Sequence, residues 1–155
     1  MSSIKVSLPD GSVKEFESGS SLLSIAKNRR NSLNQKLGKT ALLAKVDGEN
    51  KDLSDTLDHD AKVEFITPDS EEGLHAIRHT ASHVMAQAIQ HLFPGTKFAI
   101  GPAIEKGFYY DLDSDHVFTP EDLRAIEKEM SKIIKANYPL VRKELPRAEA
   151  LAKFK

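Results

Sequence analysis

Apolar and polar positions alternate along the first residues and change period twice further on. Residues 4–8 (IKVSL) alternate in strand fashion, Pro9, Asp10 and Gly11 signal a turn, and VKEF at 13–16 reads as a second short strand, which predicts a β-hairpin. Ser20 and Ser21 offer an N-cap for a short helix whose apolar face is Leu22, Leu23, Ile25 and Ala26, running towards Arg30. ALLAKV at 41–46, the turn Asp47-Gly48, a short segment around Leu53 and KVEFIT at 62–67 complete a strand-rich set, with Val63 and Phe65 on one face. Two strands, a helix and further strands make a small α+β unit, expected to be β-grasp-like over residues 1–66.

Residues 67–72 break the pattern and are expected to link two domains, with Asp69 as N-cap and Glu72 in the capping-box position. Leu74, Ile77, Ala81, Val84, Met85, Ala88 and Leu92 then recur with a 3.6-residue period, predicting one long amphipathic helix that stops before Pro94-Gly95. Residues 97–113 (KFAIGPAIEKGFYYDLD) are β-prone and punctuated by glycine. Thr119 as N-cap and Pro120 at N1 open a second helix to Asn137, with Leu123, Ile126, Met130 and Ile133 as its buried face. LVRKEL at 140–145 reads as a strand, and the helical pattern from Pro146 reaches Lys155 without a C-cap signal, so the chain is expected to be cut short.

Composition narrows the classes. The 155 residues carry 22 Lys and Arg against 23 Asp and Glu, a formal net charge of −1, which argues against a polybasic nucleic-acid binder and leaves room only for a local basic patch. There is no cysteine, so thiolate nucleophiles, disulfides and thiolate zinc sites are absent from these residues. No apolar run approaches the roughly 20 residues of a membrane span and the first residues form no signal-peptide core, so a soluble, cytoplasmic protein without a membrane partner is expected.

His79 and His83 stand out as candidate chemistry. Four residues at about 100° each bring two side chains to within roughly 40° on a helix, opposite the predicted apolar stripe. They can act on one ligand, or simply belong to a solvated face. A zinc site is disfavoured, because two ligands are too few and Thr80-Ala81-Ser82 lacks the glutamate of a metalloprotease. An acid–base pair that activates water against an ester suits imidazole. His59, His75, His91 and His116 are expected to be ordinary surface residues.

Gly101 and Gly107 allow close backbone approach around Tyr109 and Tyr110, so one tyrosine can pack while the other presents its hydroxyl to a pocket. A glycine-bounded core strand or a stacking platform for a base are the alternatives. Lys27, Arg29, Arg30, Lys36 and Lys39 form a basic cluster that could meet phosphates or be a solvated face.

IRHTASHVMAQAIQHLFPGTKFAIGPAIEKGFYYDLD, followed by TPEDLRAIEKEMSKIIKANYP, closely resembles the start of the editing domain of bacterial-type threonyl-tRNA synthetases, and the residues before it resemble their TGS domain, a β-grasp module. The resemblance covers essentially the whole chain and implies a TGS domain at 1–66 and the N-terminal part of an editing domain at 73–155. That region would serve the hydrolysis of misacylated Ser-tRNA(Thr) within a ligase that joins threonine to tRNA(Thr). It implies editing-site roles for His79 and His83 and substrate-binding positions at Tyr110 and Gly101. The family completes this site with a Cys-x-x-x-His motif that these residues lack, so the piece by itself is expected to be inactive and to hold no cofactor or metal. ATP, Mg and Zn belong to the whole synthetase, as do the rest of the synthetase chain and a homodimer partner. A non-catalytic RNA-binding or regulatory TGS module is the alternative, and a free-standing metallo-hydrolase a third.

Overall fold

The computed structural model describes residues 2–28, 40–139, 141 and 143–153. Strands β1 (Ser3–Ser7), β2 (Val13–Glu17), β4 (Leu43–Val46), β5 (Glu49–Lys51) and β7 (Ala61–Ile66) form one sheet in the order β2-β1-β7-β4-β5. β1 and β7 run parallel at its centre and the other neighbours antiparallel, while β3 (Ser20–Ser21) pairs with β6 (Thr56–Leu57) apart from it. Period-two alternation puts Ile4 and Val6 of β1, Ala44 and Val46 of β4, and Ala61 and Val63 of β7 on one face. Helix α1 (Leu22–Lys27) closes that face with Leu22 and Ile25. Leu22, Ile25, Val6 and Val63 are fully buried, each worth roughly 1.5–3 kcal/mol of apolar burial. This is the expected β-grasp unit with mixed α and β content.

Local chemistry explains its joints. Ser21 caps α1, its side chain accepting from the Ser24 N–H. Asp47 and Gly48 both take positive φ (49° and 91°) between paired Val46 and Glu49, the two-residue turn whose twist matches a hairpin. The Asp47 carboxylate also accepts the Lys62 N–H, joining this turn to β7.

Helix α2 (Glu71–Leu92) starts one residue later than expected. Ser70, not Asp69, is the cap: its Oγ accepts the Gly73 N–H at 3.0 Å and donates to the Thr67 carbonyl at 2.9 Å. Glu72 leaves the capping-box role, because Lys45 Nζ on the outward side of β4 reaches both its oxygens at 2.7 and 2.9 Å. The predicted apolar stripe is also rotated. Of its members Ala88 is buried as expected, but Leu74, Ile77 and Leu92 are 41%, 40% and 38% exposed, whereas Ser82 and Ile89, outside that stripe, are buried. A helical period shows how wide an apolar arc is, but neighbours choose which sector they cover.

The chain divides into two compact units within α2, residues up to 83 with 98–112 and residues 84–97 with the part from 113 onward. In the first, β9 (Ala103–Ile104) and β10 (Gly107–Phe108) form a hairpin, which follows β8 (Lys97–Phe98) in the chain. Below the hairpin the Ala99 N–H donates to the Asp111 carbonyl and the Asp111 N–H to that of Ile100, at 3.0 and 2.8 Å. Tyr109 and Tyr110 lie between β10 and β11 (Leu112–Asp113) rather than on a strand.

In the second unit, α3 (Pro120–Ala136) has the expected Thr119 cap with Pro120 behind it, a reciprocal box completed by Asp122, and a left-handed Asn137 at its end. Ile126 and Ile133 are buried and Met130 half-buried, but Leu123, expected in the same face, is 62% exposed in the first turn. His91 Nδ1 meets Glu129 Oε1 at 3.1 Å and ties α2 to α3. The strand expected at 140–145 does not form at Val141 or Lys143–Leu145, and Leu140 and Arg142 lie outside the described residues. A short stretch with apolar ends makes no strand without a neighbouring ladder. α4 (Arg147–Lys153) follows, with no buried side chain.

Candidate functional site

His79 and His83 lie one turn apart on α2 and both are exposed. Their Nε2 atoms are 3.1 Å apart, and the rings meet edge to face with centroids separated by 4.6 Å. A hydrogen bond between two ring nitrogens requires one N–H and one bare nitrogen, so the pair holds a donor and an acceptor that satisfy each other until the bond opens. Ser82, between them in sequence, is fully buried and donates its hydroxyl to the His79 carbonyl at 2.7 Å.

Gly101 and Tyr110 form a second pair. The Tyr110 ring lies flat against Gly101, so that a Cβ built at 101 would overlap Cδ2 and Cε2 of the ring. Phe98 also meets that tyrosine in an edge-to-face contact at 5.6 Å. Tyr110 is thereby half-buried, and Tyr109 is 44% exposed.

Among the described residues no hydrogen bond or ring contact joins the two pairs directly. The link between their supports is Arg78, whose Nη1 donates to the Ile104 carbonyl of the β9–β10 hairpin at 3.4 Å. Sequence reasoning missed Arg78. Its signal was a cation immediately before His79 with no acidic residue three or four positions away to pair with it.

Three of the histidines set aside as ordinary surface residues have specific partners. His116 stacks on Phe93 at 4.5 Å, and its Nε2 reaches Asp122 at 2.8 Å. That contact, with the Thr119 N–H and hydroxyl, holds the Asp122 carboxyl below the usual range. Glu129 is likewise lowered, by Lys132 first and His91 second. His59 is raised by its hydrogen bond to Asp58. These are fastenings of turns and helix ends, away from His79 and His83 in sequence.

Of the basic cluster, Arg29, Arg30, Lys36 and Lys39 lie outside the described residues, and only Lys27 is placed, in the last turn of α1. Among the described residues no three His, Asp or Glu side chains gather to hold a metal ion, and no helix is long and apolar enough to cross a membrane.

Residues 4–67 match the TGS domain family. Over 151 residues, 97% of this chain, it is 52% identical to a threonine–tRNA ligase of Finegoldia magna and 48% identical to threonine–tRNA ligase 1 of Bacillus subtilis. Over all 155 residues it is 49% identical to a threonine–tRNA ligase of Citrifermentans bemidjiense. The chain spans about a quarter of the length of these relatives, 23% of the first two and 24% of the third.

Proposed function

Because this chain carries a TGS domain and is similar along nearly its whole length to the N-terminal region of threonine–tRNA ligases, we propose that it is the corresponding region of such a ligase and serves proofreading. On this reading residues 1–66 are the TGS domain, 67–72 a link, and 73–155 the first part of an editing domain. Its task is hydrolysis of Ser-tRNA(Thr) formed in error by an enzyme that joins threonine to tRNA(Thr). Serine differs from threonine by one methyl, worth about 1–3 kcal/mol in a pocket, so a second, hydrolytic selection is needed.

The observation that carries the proposal is the exposed, hydrogen-bonded pair of His79 and His83. Opening the bond between the two Nε2 atoms frees a bare nitrogen to take a proton from water as the water oxygen attacks the seryl ester carbon. The carbon–oxygen bond to the terminal ribose breaks, and the ribose oxygen leaves with a proton from the same imidazole pair. Tyr110 and the backbone at Gly101 supply a wall where the packed ring defines shape, and the tyrosine hydroxyl is a donor for the seryl group.

ATP, Mg and Zn belong to the aminoacylation chemistry of the whole ligase. The described residues do not fit a metal, having no three-ligand cluster, and no step here uses one. The ligase works in the cytoplasm as a homodimer on this reading, and these 155 residues alone, without a cysteine, lack the remainder of the editing site.

The test is deacylation of Ser-tRNA(Thr) by a full-length ligase carrying this segment, as wild type, His79→Ala and His83→Ala. The expected result is a fall of about 10²-fold or more in kcat for each variant. Unchanged deacylation together with salt-dependent tRNA binding indifferent to both histidines would establish the non-catalytic RNA-binding module instead.

A further inference from the structure

We propose that Arg78 is a positioning residue for this hydrolytic site, clamping the β9–β10 hairpin to α2 so that the segment bearing Gly101 and Tyr110 is held against the helix bearing His79 and His83. The assignment rests on the proofreading reading and adds to it a residue that takes no part in the chemistry.

The segment from Ala99 to Asp111 is closed on itself. Its two ends are joined by the backbone hydrogen bonds between Ala99, Ile100 and Asp111. Its tip is the hairpin in which Ile104 faces Gly107 and Ala103 faces Phe108. Tyr110 is packed onto Gly101 within it. Such a piece moves as one body, and its orientation to α2 depends on what ties it there. Among the described residues one hydrogen bond runs from α2 to this segment, Arg78 Nη1 to the Ile104 carbonyl.

Arginine suits that duty. Its guanidinium is planar and rigid, and it keeps its donors charged at every relevant pH. Among the described residues no carboxylate stands within ion-pairing distance of Arg78, and its side chain is half-buried, so it is neither a surface salt bridge nor free in solvent. At 3.4 Å the bond is longer than the usual 2.7–3.2 Å. A tie of that length holds the hairpin without locking it. Arg78 immediately precedes His79, so its backbone and that of the first histidine belong to the same helical turn.

The test uses a full-length ligase carrying this segment, with Arg78→Met and Arg78→Lys compared with wild type in Ser-tRNA(Thr) deacylation and in amide hydrogen exchange. For Arg78→Met the expected result is a loss of about tenfold or more in kcat with KM changed by less than about threefold, since misplacement costs chemistry more than binding. Amides of residues 103–108 exchange faster while those of α2 keep their protection. Arg78→Lys, which keeps the charge and a donor and guards against a folding failure of the methionine variant, shows a smaller kcat loss in the same direction. An unchanged kcat in both variants, or a rise in KM alone, overturns the assignment, the latter because it marks a phosphate contact. Intact deacylation in His79→Ala and His83→Ala overturns the proofreading reading itself, a separate result from separate proteins.

Discussion

Replacing Gly101 by alanine isolates one contact of the candidate site. The added Cβ would overlap Cδ2 and Cε2 of Tyr110 and stand 2.8 Å from Cγ, so the ring has to move. Gly101 is not among the glycines with left-handed φ, and alanine fits its backbone, so the ring, which supplies the three atoms nearest the added Cβ, is the main obstacle. Forcing a methyl into a packed position costs about 1–3 kcal/mol. Displacing Tyr110 from the edge of Phe98 adds about 0.5–1.5 kcal/mol. Loss of glycine's freedom in the unfolded chain returns about 0.4–1 kcal/mol. The balance is a destabilisation of about 2 kcal/mol. In a Tyr110→Ala background the obstacle is gone, and Gly101→Ala should instead stabilise by about 0.4–1 kcal/mol. Urea unfolding of wild type, both single variants and the double variant measures the coupling, expected at about 2–3 kcal/mol. A coupling below about 0.5 kcal/mol, or equal effects of Gly101→Ala in both backgrounds, refutes the packing argument.

Two further predictions concern stability. Leu22→Ala, at a fully buried position between α1 and the sheet, is expected to cost about 3 kcal/mol by urea unfolding, and a loss under about 1 kcal/mol would show that the core collapses around the cavity. Asp122, held low by His116 and Thr119, contributes stability that is present above the unfolded carboxylate value of about 3.9 and lost as pH falls through the lower folded value. Asp122→Asn should therefore lower stability at neutral pH and flatten the acid side of a stability-against-pH curve, and an unaltered acid side would remove the His116 bond from the account.

Most of the β-grasp unit was legible because its signals are local. Asp47-Gly48 demanded a left-handed turn, Val63 and its neighbours alternated, and Ser21 stood where a helix needed a cap. The candidate pair of His79 and His83 was legible for the same reason: a four-residue offset on a helix brings two rings together whatever surrounds them. Tyr110 and Gly101 were singled out by the family resemblance, but their contact could not be read, since the eight residues between them permit many closures. The misplacements have the same origin. Leu123 carries the right period for α3 yet is exposed in its first turn, and Val141 and Lys143–Leu145, expected in a strand, form none.

The sequence by itself determined the elements, their caps and turns, the α+β class and the one helix face on which two imidazoles meet, because each depends on neighbours within about four residues. Only the tertiary structure decided that Ser82 and Ile89, rather than Leu74 and Ile77, are the buried sector of α2. It also decided that Glu72 leaves its own helix end for Lys45, 27 residues away, and that Arg78 reaches Ile104, 26 residues away. Those choices are made by packing between distant segments, where several partners satisfy the same local pattern and the one brought nearest by the sheet and hairpin takes the bond.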